Sequence, residues 1–168
     1  MRKAFTLIEL IVSIGILSII MIFLYKSYAS LNKSNILYEK KLQTINDKQL
    51  KKKIIYLDFF LAFSKEVNIL NQDPDADIVF LQTKNSMHAR FNPYVAYIFK
   101  DKKLYRLESL KRFNEYPLDP QSDFSMEYFG EAEIFRVYKS QKKDANSFLV
   151  HINFGKQDTI LLKIKQPH

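Results

Sequence analysis

The sequence predicts an α+β chain, one long N-terminal helix followed by a largely antiparallel β-sheet. Three observations carry this. Phe5 to Tyr25 is a continuous apolar run with a single ionisable group, Glu9. Neither Pro nor Gly occurs from Lys26 to about Val67, where long unbranched side chains are frequent. Beyond Asp77 the apolar spacing changes from helical steps to alternation.

The apolar run comes first in the chain. At ~1.5 Å rise per residue, a helix over 5–25 spans roughly 30 Å, the thickness of a bilayer core. An acidic side chain at the centre of such a helix costs about 2.5–3.5 kcal/mol, and less toward an end, where Glu9 lies. On the residues alone two readings of Glu9 stay open. It either snorkels toward headgroups near the positive end of the helix dipole, or it awaits a cation within the apolar layer. Arg2 and Lys3 precede the run, which places the N-terminus on the cytoplasmic side. A secretory signal is the rival, with Ser27–Ser30 (SYAS) as its cleavage site, but its apolar core is ordinarily shorter. A plain single-pass anchor fits the length and leaves Glu9 unexplained.

The formal charge of +8 is concentrated after this run. Residues 26–53 hold eight Lys against Glu39 and Asp47, a balance of +6. Tyr28, Leu31, Tyr38, Leu42 and Ile45 keep three-, four- and seven-residue steps, so 26–53 reads as a basic, exposed helical stalk. Such a stretch is a solvated helix face beside a membrane, or it meets lipid, nucleic acid or an acidic protein face. No nucleic-acid-binding motif accompanies it, so no nucleic acid is expected. From about Ile54 the stripe broadens (LDFFLAF), and this half of the helix is expected to be buried against a domain. Turn chemistry in NILNQDPDAD then ends it.

The strands follow in order. Asp77–Thr83 is a first strand, and Tyr94–Leu110 a hairpin turning at Asp101–Lys102, with Tyr97 and Phe99 facing Leu104 or Tyr105. FSMEYF and EIFRVYK are expected to pair around Gly130, and SFLVHINF with TILLKIK around Gly155. Short links make the pairing mostly antiparallel, with the helix on one face of the sheet.

Several function classes find no support. Without Cys there is no disulfide, thiolate metal site or thiol catalysis. Only three Gly occur, so no dinucleotide fingerprint or phosphate-binding loop can be written. His88, His151 and His168 are isolated, and His151 reads as a sheet residue. Asp73, Asp75 and Asp77 open like a calcium loop, but Ile78 and Lys84 occupy the positions that need Gly and Glu, which excludes an EF-hand. Glu131 and Glu133 read as solvated strand-end residues. The expectation is a non-enzyme with no metal site and no cofactor, calcium in another loop being the weak exception.

The stretch KAFTLIELIVSIGIL resembles the class III signal of type IV pilins and pseudopilins. The resemblance implies cleavage by a prepilin peptidase between Ala4 and Phe5, where Gly is usual at the position held by Ala4. It also implies N-methylation of Phe5 and a filament-assembly role for Glu9. Its charge would meet the freed amino group of Phe5, one helical turn away, or that of a neighbouring subunit. It implies a pilin-like fold: leader 1–4, transmembrane helix 5–25, stalk 26–53 and a periplasmic head 54–168. The order YIFKDKKLYRLES, AEIFRVYKS, TILLKIKQP is most similar to the J-type minor pseudopilin of type II secretion. The expected role is a structural subunit at or near the tip of a periplasmic pseudopilus. Expected partners are other minor and major pseudopilins, the peptidase, the inner-membrane assembly platform and membrane lipid. The expected location is the bacterial inner membrane, single-pass, with the head in the periplasm. Two alternatives remain: a minor type IV pilin of a DNA-uptake or adhesion pilus, for which nucleic acid becomes a partner, and a membrane-anchored periplasmic binding domain.

Overall fold

The computed structural model describes residues 6–63, 66–113, 115–118, 123–140, 146–155 and 159–167, with Gln72 described by its backbone alone. Helix α1 runs Leu7–Phe60, and eight strands follow: β1 Asn68–Asp73, β2 Ala76–Gln82, β3 Tyr94–Lys100, β4 Lys103–Ser109, β5 Ser125–Glu131, β6 Ile134–Lys139, β7 Ser147–Asn153 and β8 Thr159–Lys165. The architecture is α+β, a long N-terminal apolar helix and an antiparallel-rich sheet, consistent with a pilin-like fold. The chain forms two compact units that divide between Lys48 and Gln49.

The first unit is helical, and its apolar residues from Leu7 to Tyr25 are exposed rather than buried. Within it Ser13 and Ser18 donate their hydroxyls to the carbonyls of Glu9 and Ile14, at 2.7 and 2.9 Å. Each polar group is thereby satisfied without water, as an apolar solvent requires.

In the second unit the end of α1 lies on the sheet, with Ile54, Ile55, Asp58 and Phe59 buried. The sheet order is β5-β4-β3-β2-β6-β7-β8, with β1 on β2. Alternation sorts the strand residues onto two faces. Val79, Leu81, Val95, Tyr97, Leu104, Phe135, Val137, Phe148 and Val150 form the main core with Ile55 and Phe59. Tyr97 sits at its centre, with ring centroids 6.1 Å from Phe59, 5.8 Å from Phe135 and 5.9 Å from Phe129. The opposite face buries Ile78, Phe80, Ala96, Ile98 and Leu107 beneath Phe113 and its neighbours Tyr116, Leu118 and Phe124.

Four sequence expectations need correction. The helix stops at Phe60 and not near Val67, because Phe63 N–H donates to the Gln82 carbonyl (2.9 Å) and Ala62 bridges Thr83. The side chain of Gln166 caps the helix end, donating to the carbonyls of Phe59 and Ala62, both at 2.9 Å. The segment NILNQD is a strand rather than a turn. Ile69 and Leu70 pack on opposite clusters and only Pro74–Asp75 forms the bend. Third, the β3–β4 hairpin does turn at Asp101–Lys102, both at positive φ as a two-residue turn demands, and Phe99 faces Leu104. Tyr97, however, faces Arg106.

Fourth, β5 and β6 do not pair with each other despite their short link. β5 pairs with β4 through a bulge at which Gly130 takes φ +127°. Ala132 N–H then donates to the Lys102 carbonyl (2.9 Å), anchoring the chain at the β3–β4 turn. β6 crosses instead to β7, antiparallel, and meets β2 in a parallel bridge, Ala76↔Phe135. The buried carboxylate of Asp77 accepts Val137 N–H at 2.8 Å there, and Phe135 and Val137 join the main core.

Candidate functional site: the N-terminal motif and the buried ion network

Ala4 and Phe5, the residues of the expected cut and methylation, lie outside the described residues. The geometry begins at Thr6. Its backbone N–H and its hydroxyl both donate to Glu9 Oε2 at 2.9 Å, and Glu9 N–H donates to Thr6 Oγ1 at 3.4 Å. This is a reciprocal capping box, Thr at the N-cap and Glu three residues on, satisfying donors that the first helical turn leaves open. The signal, Thr-x-x-Glu ahead of an apolar run, was present in TLIE and is independent of any partner. Within the single chain Glu9 therefore has polar contacts to Thr6 and remains exposed. A carboxylate oxygen offers more than one acceptor site, so the cap leaves capacity for a cation at the same group.

Around Glu9 the helix is apolar on every side. Leu7, Ile8, Ile11, Phe23 and Tyr25 are each more than 60% exposed. Scattered exposed apolar residues are ordinary, whereas a continuous sleeve of them requires a lipid or protein surround. By length and composition α1 can cross a membrane.

The sequence matches the family model of the prokaryotic N-terminal methylation motif over residues 1–25. The motif supports a type IV pilin-like chain, pilin or pseudopilin. Together with the apolar helix it points to single-pass membrane anchoring, and the proteins that carry such a pilin-like motif are structural, not enzymatic. No curated protein and no solved structure matches the chain.

The head holds a second polar centre that sequence reasoning missed. Asp58, Arg106 and Glu108 are fully buried. Arg106 donates through Nε to Asp58 Oδ2 (2.7 Å), through a second nitrogen to Asp58 Oδ1 (3.1 Å), and through a third to Glu108 Oε2 (2.7 Å). Tyr97 OH donates to Asp58 Oδ2 at 2.6 Å, and Asn85 Nδ2 to Oδ1 at 2.7 Å. Glu108 also accepts Ser86 Oγ (2.5 Å) and Met87 N–H (3.0 Å). Every charge thus has several partners, the condition under which buried ions are tolerated.

The network binds the loop 84–93 to the sheet. Arg90 donates to the Glu108 carbonyl and, at 3.0 Å, to Ser125 Oγ. Burial pushes the Glu108 carboxyl up, but donors from Ser86, Arg106 and Met87 outweigh it and hold it below the usual carboxylate range. Burial alone would lower Arg106, and the hydrogen bonds and charge of Asp58 reverse this, keeping it a cation. Burial, with the Asp58 charge beside it, raises the Tyr97 phenol, which stays protonated as a donor. The arrangement has the chemistry of a lock.

The remaining sequence candidates are dispersed. His88 is 3.5 Å from Glu127 at the surface, His151 stands opposite Arg136 in the β6–β7 ladder, and His168 lies outside the described residues. Arg136 donates to Asp77 Oδ1 (3.3 Å) and to the Asp73 carbonyl (2.8 Å), so this part of the acidic run is engaged in strand pairing. Glu133 accepts Asn153 Nδ2 at 3.0 Å. Among the described residues no group of three or more His, Asp or Glu converges on a metal position.

Proposed function

We propose that the chain is a minor pseudopilin, cut between Ala4 and Phe5, methylated on Phe5, and built into a short filament at or near its tip. The observation that carries this reading is the methylation motif over 1–25 running directly into an apolar helix that the chain leaves unburied. In this reading Glu9 keeps its cap from Thr6 and adds the amino group of Phe5, its own or a neighbour's. An unpaired carboxylate in an apolar layer is costly, while a paired one in low dielectric is strongly favoured. Glu9 therefore penalises the lone helix and rewards stacking in register. The head is periplasmic and the anchor spans the inner membrane once. The partners are other pseudopilins, the prepilin peptidase, the assembly platform and lipid, with no cofactor. The similarity of the head to the J-type is one of order and pattern.

Mass spectrometry of the chain from its native membrane tests this. The expected result is loss of Met1–Ala4 and one methyl on Phe5. An intact N-terminus, or a cut near Ala29, overturns it in favour of a tethered periplasmic domain or a secreted one. Neighbouring genes for other pseudopilins, against genes for DNA uptake, separate a secretion filament from a minor type IV pilin.

A further inference from the structure

The lysines that follow the apolar span are ordered along one side of α1. Lys26, Lys33 and Lys40 recur at every seventh position, whereas Lys41 points about 100° round the helix from Lys40. Seven residues are nearly two turns, so the repeat makes a ladder with rungs about 10.5 Å apart on one face. Asp47 takes the next place, where the ladder ends. Tyr28, Leu31, Tyr38, Leu42 and Ile45 fall on the opposite face and are 45–70% exposed. Leu37, four residues after Lys33 and three before Lys40, lies among the rungs and is 60% exposed.

On a solvated helix, Glu and Lys four apart on one face stabilise each other. Here Lys26, Lys33 and Lys40 are exposed, and among the described residues none of the three makes a salt bridge. Two copies set ladder to ladder repel, so this face is built against self-packing. Lipid cannot cover it either. Lys40 lies about 21 Å along the helix beyond Lys26, and surface charge is screened within ~8 Å at physiological salt. A nucleic acid is poorly matched, because duplex phosphates do not follow a straight seven-residue ladder and no Arg or aromatic residue is interleaved on this face. A second helix with carboxylates at the same seven-residue spacing meets each rung.

We infer that the Lys26–Lys33–Lys40 face of α1 docks an acidic helical face of a different protein, charge to charge and in register. The inference gives the filament reading above its partner chemistry: this subunit packs beside an unlike, acidic neighbour, not beside copies of itself.

The full chain in uncharged detergent is titrated with a labelled helical peptide bearing Glu at every seventh position on one face. Controls are a peptide of the same composition with the Glu positions scrambled, and a DNA duplex. The registered peptide is expected to bind about tenfold more tightly than the scrambled one, and to weaken with salt. K33E/K40E is expected to lower that affinity about tenfold or more, since two attractions become repulsions, with helix content unchanged by circular dichroism. Anionic lipid added to the micelle leaves binding within about twofold, because it reaches Lys26 alone. Equal binding of the scrambled peptide, tighter binding of the duplex, full displacement by anionic lipid, or an unaffected K33E/K40E variant overturns the inference. An uncut N-terminus would refute the filament reading and leave this measurement standing; normal processing without binding would do the reverse.

Discussion

Helix α1 carries two carboxylates in apolar surroundings, Glu9 near its start and Asp58 near its end, and they are treated differently. Asp58 is fully buried and accepts from Arg106, Tyr97 and Asn85. Glu9 is exposed on an apolar helix and is held by Thr6. A buried charge completed by its own chain is a folding device. One completed only in part, on a surface that must itself be covered, is set for a contact outside the chain.

The largest effect comes from breaking the completed one. Arg106→Met strips Asp58 and Glu108 of their shared cation, and such a loss costs roughly 3–5 kcal/mol. Denaturant unfolding of the full chain in detergent, followed by Tyr fluorescence, should show it. A shift below about 1 kcal/mol would mean that the network is dispensable.

A smaller effect is expected from acid. Glu108 is held below its ordinary value of 4.5 in the fold. Its contribution is therefore complete above that value and is lost as pH falls through the depressed folded one. Glu108→Gln should be less stable than the parent at neutral pH, and the gap should narrow as pH falls below 4.5 and close through the depressed folded value. A gap independent of pH would show that the charge of Glu108 is not what the fold uses.

The least effect on stability is expected at the other carboxylate. Glu9→Ala loses one side of a capping box, and the effect on stability is confined to the first turn. Head unfolding and membrane insertion should be unchanged, while incorporation into a filament should fall sharply. Glu9→Gln keeps most of the cap and removes the charge. If both variants assemble normally, Glu9 is only a cap and its likeness to Asp58 as a charge in need of a partner disappears.

The same contrast explains what was legible in the sequence. The apolar run, the hairpin at Asp101–Lys102 and the β7–β8 pair are local patterns, written within ten or twenty residues. The motif around Glu9 is local as well, and so is its capping box, although TLIE was read there only for its charge. The Asp58–Arg106 pair joins residues 48 positions apart, and no spacing rule links an acid in LDFF to a cation in KLYRLES. The route of β6 was hidden for a related reason. Its two-residue link suggests a hairpin, and only the anchoring of Ala132 by Lys102 and the acceptance of Val137 by Asp77 send the strand elsewhere.

The cap that Gln166 places on the Phe59 and Ala62 carbonyls sets an order of events during synthesis. These groups wait for a side chain made 107 and 104 positions later. While the ribosome is still working, α1 is already complete and its far end is open. The head closes only when the chain comes back to where the helix ended, so a translation product stalled before Gln166 stays unsealed.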